Sequence, residues 1–357
     1  MSSLFESLPF SRGPAMKNRF MLAPLTNTQS HADGRLSDDE INWLEMRAKG
    51  GFGLTMSAAA HIQAVGQGFP GQLGAFSDDH IEGMSRMAAA IKSHDSLSIM
   101  QLHHAGNRTP ADLIEGTPVC PSADEEAGAR ALSHDEVGQL VEDFILAAKR
   151  AEAAGFDGVE VHGAHGYILS QFLSAEINKR TDEYGGSLEN RSRIVFEIVN
   201  GIRARCRPDF NVSIRLSPER FGLRLAEICE VAQQLMTQGA IDFLDMSLWD
   251  VFKEPVEEEF QGRSLMSYFT ELDRGNVQLG VAGKITSTQM AKECLKQGCD
   301  FVMIGRGAIL HHDFPLRAED PDFKVVALPV SGDYLRNEGL NESFLIYMSN
   351  WKGFVNL

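Results

Sequence analysis

Ala154-Gly155-Phe156-Asp157-Gly158-Val159-Glu160-Val161-His162 is the stretch on which the fold turns. A long segment with apolar residues at helical spacing ends at a glycine, and an apolar run follows without a linker. Glycine takes the left-handed conformation that closes a helix, so here a helix passes straight into a strand. The same joint recurs at Lys49-Gly50-Gly51-Phe52, Gln238-Gly239-Ala240 and Gln297-Gly298-Cys299. Working outward from these joints, period-two or continuous apolar runs predict strands over 19–23, 53–58, 97–102, 158–162, 212–216, 243–247, 278–282 and 301–304. Helical spacing predicts helices over 38–49, 79–93, 134–154, 188–206, 225–238, 264–272 and 288–297, with a last one beyond Arg306. Ser37, Ser133 and Ser187 stand just before three of them, with Glu40, Glu136 and Glu189/Asn190 close behind, as N-caps require.

Alternation of strand and helix about eight times, with strands of the buried parallel type, points to an α/β fold, a (β/α)8 TIM barrel. An open doubly wound sheet is the alternative, but no GxGxxG follows the first strand. The chain reads as a single domain over 1–357, with a core over about 17–312. The Gly-, Pro- and acid-rich stretch from Leu102 to Ser133 reads as a long loop excursion after the third strand, and 313–357 as a C-terminal cap.

The formal charge of −16 over 357 residues, with no basic run, argues against nucleic acid or an anionic membrane as partner. The N-terminus shows no cationic segment followed by an apolar core, and no stretch of 18 apolar residues occurs, so a cytoplasmic protein is expected. Five scattered cysteines without a CxxC pair indicate neither a disulfide framework nor a metal cluster.

In a barrel the residues just past each strand share one rim. Here they are Pro24-Leu25-Thr26, Ala58-Ala59, Gln101 with His103-His104, His162-Gly163-Ala164-His165-Gly166-Tyr167, Arg215, Trp249, Gly283-Lys284 and Gly305-Arg306. Two imidazoles and a phenol within six residues, spaced by glycines, could converge on one anionic oxygen. No carboxylate cluster accompanies them, so no metal is expected. The last two loops offer backbone N–H donors leading into helices, as barrels do for a phosphate.

These residues carry a resemblance. Lys17-Asn18-Arg19-Phe20-Met21-Leu22-Ala23-Pro24-Leu25-Thr26, Gln101-Leu102-His103-His104-Ala105-Gly106, the His162–Tyr167 segment, Asn178-Lys179-Arg180-Thr181-Asp182-Glu183-Tyr184-Gly185-Gly186-Ser187-Leu188-Glu189-Asn190-Arg191, Arg215-Leu216-Ser217-Pro218 and Ile304-Gly305-Arg306 resemble the Old Yellow Enzyme family nearly end to end. The resemblance implies an FMN-dependent NAD(P)H oxidoreductase of the ene-reductase type, with non-covalent FMN and NADPH or NADH as reductant. Ala23, Pro24, Leu25 and Thr26 would cradle the flavin, Ala59 and Gln101 would lie against the ring, Arg215 by its N1–C2=O edge, and Gly283, Gly305 and Arg306 at the phosphate. A fixed guanidinium there stabilises a reduced, anionic flavin.

His162 and His165 would hydrogen-bond the carbonyl or nitro oxygen of an electrophilic alkene while hydride passes from flavin N5 to the β-carbon. Tyr167 would protonate the α-carbon. The His/His pair places the chain in the half of the family that lacks Asn at position 165. Thr28 and Ala58 depart from residues common in relatives, and the stretches around Trp249 and Trp351 have no assigned role. Because the chain shows no cysteine cluster, no iron–sulfur relay is expected, and NAD(P)H would reduce FMN directly. A flavin-binding sensor or store without turnover, or a metal-dependent barrel lyase or hydrolase, are the alternatives. Natural substrate, nicotinamide preference and oligomeric state, monomer or homodimer, stay open.

Overall fold

Each of eight parallel strands is followed by a helical segment in the computed structural model, which describes residues 3–357. The strands are β1 (Phe20–Leu22), β2 (Leu54–His61), β3 (Leu97–His103), β4 (Gly158–Gly163), β5 (Asn211–Leu216), β6 (Phe243–Ser247), β7 (Gln278–Ala282) and β8 (Phe301–Ile304). Every neighbouring pair is parallel, and β1 closes on β8 with Phe20 opposite Val302. The fold is a (β/α)8 barrel. The helices α1 (Asp38–Lys49), α2 (Ile81–Lys92), α3 (His134–Ala153), α4 (Leu188–Arg205) and α5 (Leu225–Thr237) start where their caps predict. Ser37, Ser133 and Ser187 accept the amides of Glu40, Glu136 and Asn190. Gly51, Gly155, Gly239 and Gly298 all take positive φ at the helix-to-strand joints.

Three expectations shift. β2 runs on to His61 because its register jumps between Met56 and Ala59, where Ser57 Oγ accepts the Gln101 amide at 3.1 Å in place of a ladder carbonyl. The helix expected over 79–93 begins as a tight turn at Asp78–His80 capped by Ser77, and becomes α-helical only at Ile81. The helix expected over 264–272 is a single turn, α6 (Ser267–Thr270), opened by a tight turn in which the Ser267 amide donates to the Ser264 carbonyl at 3.1 Å. The last barrel helices are α7 (Thr288–Lys296) and α8 (Arg306–Leu310).

The inward rows of the barrel change character along its axis. Met21, Leu54, Met56, Leu97, Ile99, Phe243, Phe301 and Met303 fill the lower part, and Leu8 and Met16 close the floor from the N-terminal segment. Two residues further along the same rows stand Gln101 above Ile99, Arg215 above Ser213 and Asp245 above Phe243, so the interior turns polar toward the C-terminal mouth. The excursion after β3 carries a two-residue parallel pair, Val119–Cys120 with Arg130–Ala131. Beyond α8, helices Gly332–Asn337 and Glu342–Ser349 lie beside α1, where Phe344 packs on Trp43 at 5.6 Å, and they carry Tyr347, Met348 and Trp351 to the mouth. No helix among the described residues is long and apolar enough to cross a membrane.

Candidate active site at the barrel mouth

The C-terminal ends of the strands surround a cleft with two adjoining lobes of about 520 and 290 Å3. Pro24, Leu25, His165, Arg215, Trp249, Arg306 and Trp351 line both lobes and mark the passage between them. Thr26, Ala59, Gln101, His162 and Tyr167 line the larger one, and Ala23, Gly283 and Gly305 the smaller. Every site residue expected from the sequence therefore faces one cleft, although the residues come from seven different strand ends.

The loop after β4 shapes one wall. Gly166, at φ +73°, packs so closely on Phe221 that a Cβ there would lie 2.6 Å from the ring, so only glycine lets the chain turn under the β5 loop and deliver Tyr167. His165 is itself left-handed, at φ +62°, with its amide held by Ser217 Oγ at 2.9 Å. The Ala164 amide donates to His162 Nδ1 at 3.3 Å, which leaves the His162 proton on Nε2. That N–H points to His165 Nδ1 at 3.3 Å, and His165 Nε2 in turn donates to Ser247 Oγ at 2.7 Å. The two rings thus form a directed chain. Burial first, then the Arg215 and Arg108 charges, hold His165 well below the ordinary imidazole range, and burial with His165 and Arg215 does the same to His162. Both are neutral donors at neutral pH. The Tyr167 hydroxyl has no hydrogen-bond partner among the described residues, and burial raises its pKa, keeping it protonated.

The floor is a buried polar network. Gln101 Nε2 donates to Glu160 Oε1 at 2.8 Å, and Arg215 Nε lies 3.1 Å from Asp245 Oδ2 without hydrogen-bond alignment. Glu160 Oε2 and both Asp245 oxygens have no donor. Two carboxyl groups thus share one guanidinium, and burial pushes Glu160 well above the carboxylate range and Asp245 up to about 7. With one proton held between the two carboxyl groups, the remaining carboxylate balances the Arg215 guanidinium beneath the cleft.

At the other end, the amides of Gly283, Lys284 and Gly305 donate to no acceptor among the described residues. Arg306, at the start of α8, has no ion-pair partner there. Two buried side chains of α1 fix this region. Arg47, its guanidinium 3.9 Å over the Trp43 ring, donates twice to the Ala308 carbonyl of α8. Glu40 accepts from Asn27 and Ser30, which anchors the turn after Pro24-Leu25-Thr26.

Backbone strain concentrates here. Of the seven non-glycine residues with positive φ among the described residues, His165, Arg220, Phe221, Trp249 and Lys284 line the cleft. Of the two histidines expected on the rim, His103 and His104, only His103 faces the cleft, its ring centre 4.4 Å from that of Tyr167. His104 turns away to Gln63, and burial lowers it to about 3. Arg108, Arg220, Phe69, Tyr347 and Met348 were not anticipated, because they sit on loops and on the C-terminal helix, where no periodicity points to the mouth. Trp249 and Trp351, which the sequence left without a role, both stand over the passage between the lobes.

Residues 3–321 match the profile of the NADH:flavin oxidoreductase / NADH oxidase family. The chain belongs to this family. It is an NAD(P)H-dependent flavin oxidoreductase of the Old Yellow Enzyme type. A probable NADH-dependent flavin oxidoreductase of Bacillus subtilis is 32% identical over 363 residues, covering 99% of this chain and 97% of its own. An NADPH dehydrogenase of Halalkalibacterium halodurans is 33% identical over 86% of this chain and 91% of its own. The Old Yellow Enzyme homologue of Zymomonas mobilis superposes with a TM-score of 0.80 at 28% identity, covering 94% of this chain and 96% of that one. The family's cofactor is FMN with NAD(P)H as reductant. The cleft fits that molecule. Free amides and the unpaired Arg306 await a phosphate at one end, a guanidinium and a buried amide side chain stand under the middle, and neutral hydrogen-bond donors face the other end.

Proposed function

We propose that the enzyme reduces electrophilic alkenes. Bound FMN would supply the hydride chemistry that links NAD(P)H to the β-carbon of an enone, a nitroalkene or a related acceptor. In this reading Gly283, Gly305 and Arg306 hold the phosphate, Ala23–Thr26 with Ala59 bound the ring, and Gln101 matches the polar edge of its pyrimidine side. Arg215 offsets negative charge on that edge, and the proton held by the Glu160–Asp245 pair beneath it keeps a second carboxylate from opposing it.

His162 and His165 bind the substrate's carbonyl or nitro oxygen. Their neutrality suits this task, because each can donate to an oxygen as it gains charge without first losing a proton. Tyr167 supplies the proton to the α-carbon, and its raised pKa keeps that proton available until carbanion character develops. The observation that carries this reading is the convergence of three neutral donors on one wall of the cleft, with Arg215 beside them on the neighbouring strand. On the same reading the chain is one FMN-binding barrel domain whose extension over 313–357 walls the mouth, working in the cytoplasm on its nicotinamide pool.

Tyr167→Phe tests it, because only the carbon-protonating step needs the hydroxyl. Flavin reduction by NAD(P)H, followed by stopped-flow absorbance, should stay within a few-fold of wild type, while enone reduction should fall about 10²-fold. Equal losses in both half-reactions would assign Tyr167 to structure or nicotinamide binding.

A further inference from the structure

The cleft of this acidic chain is lined by Arg108, Arg215, Arg220, Lys284 and Arg306 and by no aspartate or glutamate. Acids outnumber bases 49 to 33 over the chain, so cations without a carboxylate are conspicuous. On the reading above, Arg215 and Arg306 serve the flavin, and Lys284 is paired with Asp250 at 3.2 Å. Arg108 and Arg220 remain without a partner carboxylate among the described residues. Arg108 reaches in from the excursion after β3, its guanidinium 4.7 Å over the Tyr167 ring and one amine on the His165 carbonyl. Arg220 stands on the β5 turn, 4.7 Å over the Trp249 ring.

Both side chains are exposed at the mouth, and each is anchored by its neighbours. Arg220 and Phe221 both take left-handed φ, at 69° and 55°, and Glu219 beside them is buried and tied to Lys253 and to the Val256 amide at 2.7 Å. An aromatic face holds each guanidinium in place while leaving its N–H edge free for an anionic oxygen.

We propose that Arg108 and Arg220 form an anion-recognising subsite at the mouth, which takes a carboxylate or phosphate carried by the molecule lying against Tyr167. The inference rests on the alkene-reductase reading. The group belongs either to the oxidising substrate, an activated alkene with an acidic substituent, or to the phosphates of the nicotinamide reductant. In both cases two separated guanidiniums read an anion that the two imidazoles do not hold.

The test uses purified holoenzyme and Arg108→Gln, Arg220→Gln and the double variant. One arm compares an enone bearing a distal carboxylate with its methyl ester by kcat/KM, and 4-hydroxybenzoate with its methyl ester by flavin absorbance titration, a binding readout independent of turnover. The other arm compares NADH and NADPH with the phosphate-free 1-benzyl-1,4-dihydronicotinamide in the reductive half-reaction. Wild type should prefer the charged member of a pair, and each single variant should reduce that preference by about fivefold, the most that one exposed charge contact gives. Loss confined to the first arm assigns the subsite to the substrate, and loss confined to the second assigns it to the reductant. Preferences that stay unchanged in both arms overturn it.

Raising salt to 0.5 M should shrink the wild-type preference, so a variant that fails to fold does not remove the test. Salt-independent preferences would then refute the subsite. If wild type reduces no enone at all while binding of the benzoate still beats that of its ester, the function reading fails and the subsite stands.

Discussion

His162 and His165 are two of the same residue type on one loop, yet their hydrogen bonds make them unequal. The Ala164 amide fixes the His162 proton on Nε2, where only the neighbouring ring competes for it. His165 is committed on both sides, accepting from His162 and donating to Ser247. An incoming oxygen therefore takes the His162 proton with little rearrangement, but must break the 2.7 Å contact to Ser247 to engage His165. His162→Ala should weaken phenol binding about 30-fold or more, the scale of a hydrogen bond to a charged oxygen, and His165→Ala less than about tenfold. Titration of the long-wavelength band that phenols produce on oxidised flavin measures both, and equal losses would contradict the directed chain. The sequence showed that these two rings and Tyr167 share a loop. It could not show their order, because tautomers are set by the Ala164 amide and by Ser247, which lies 82 residues beyond His165.

At the level of elements, the strand ends and the cap serines were legible because each is a local signal. β6, β7 and β8 fall on the expected residues, and Ser37, Ser133 and Ser187 cap as read. What escaped was tertiary. Ser57 substitutes for a carbonyl and lengthens β2, and the Glu342–Ser349 helix brings Tyr347 across from the far end of the chain. Contact between the β4 and β5 loops was equally hidden, since the Gly166–Phe221 packing joins residues 55 apart. Gly166→Ala should cost about 1–3 kcal/mol through left-handed strain and overlap with the ring, which thermal unfolding will register. It should also displace Tyr167, lowering enone reduction more than flavin reduction. FMN content should be retained, because the phosphate end is built on β7, β8 and α1. A variant that loses its flavin would show that the loops are not separable in this way.

Over the whole molecule, two buried sets of titrating groups oppose each other. Burial lowers His61 to about 4 and His104 to about 3, and it holds His103, His162 and His165 well down as well. Depressed imidazoles contribute stability that is complete above the unfolded value near 6.5 and is lost as pH falls from there toward 4 and 3. Glu160 and Asp245 behave the other way, since their raised values favour the proton in the folded state. Their contribution is complete below about 4 and is lost as pH rises toward and through 7. Stability should therefore peak slightly below neutral and fall on both sides. Asp245→Asn separates the two limbs, because asparagine keeps a carbonyl oxygen for Arg215 and removes the charge whose burial is costly. Its melting temperature should gain on wild type by about 2–4 °C between pH 5 and pH 8, with the acid limb unchanged because the histidines remain. A constant difference across that range would mean that the pair is ionised throughout and that burial does not hold a proton beneath Arg215.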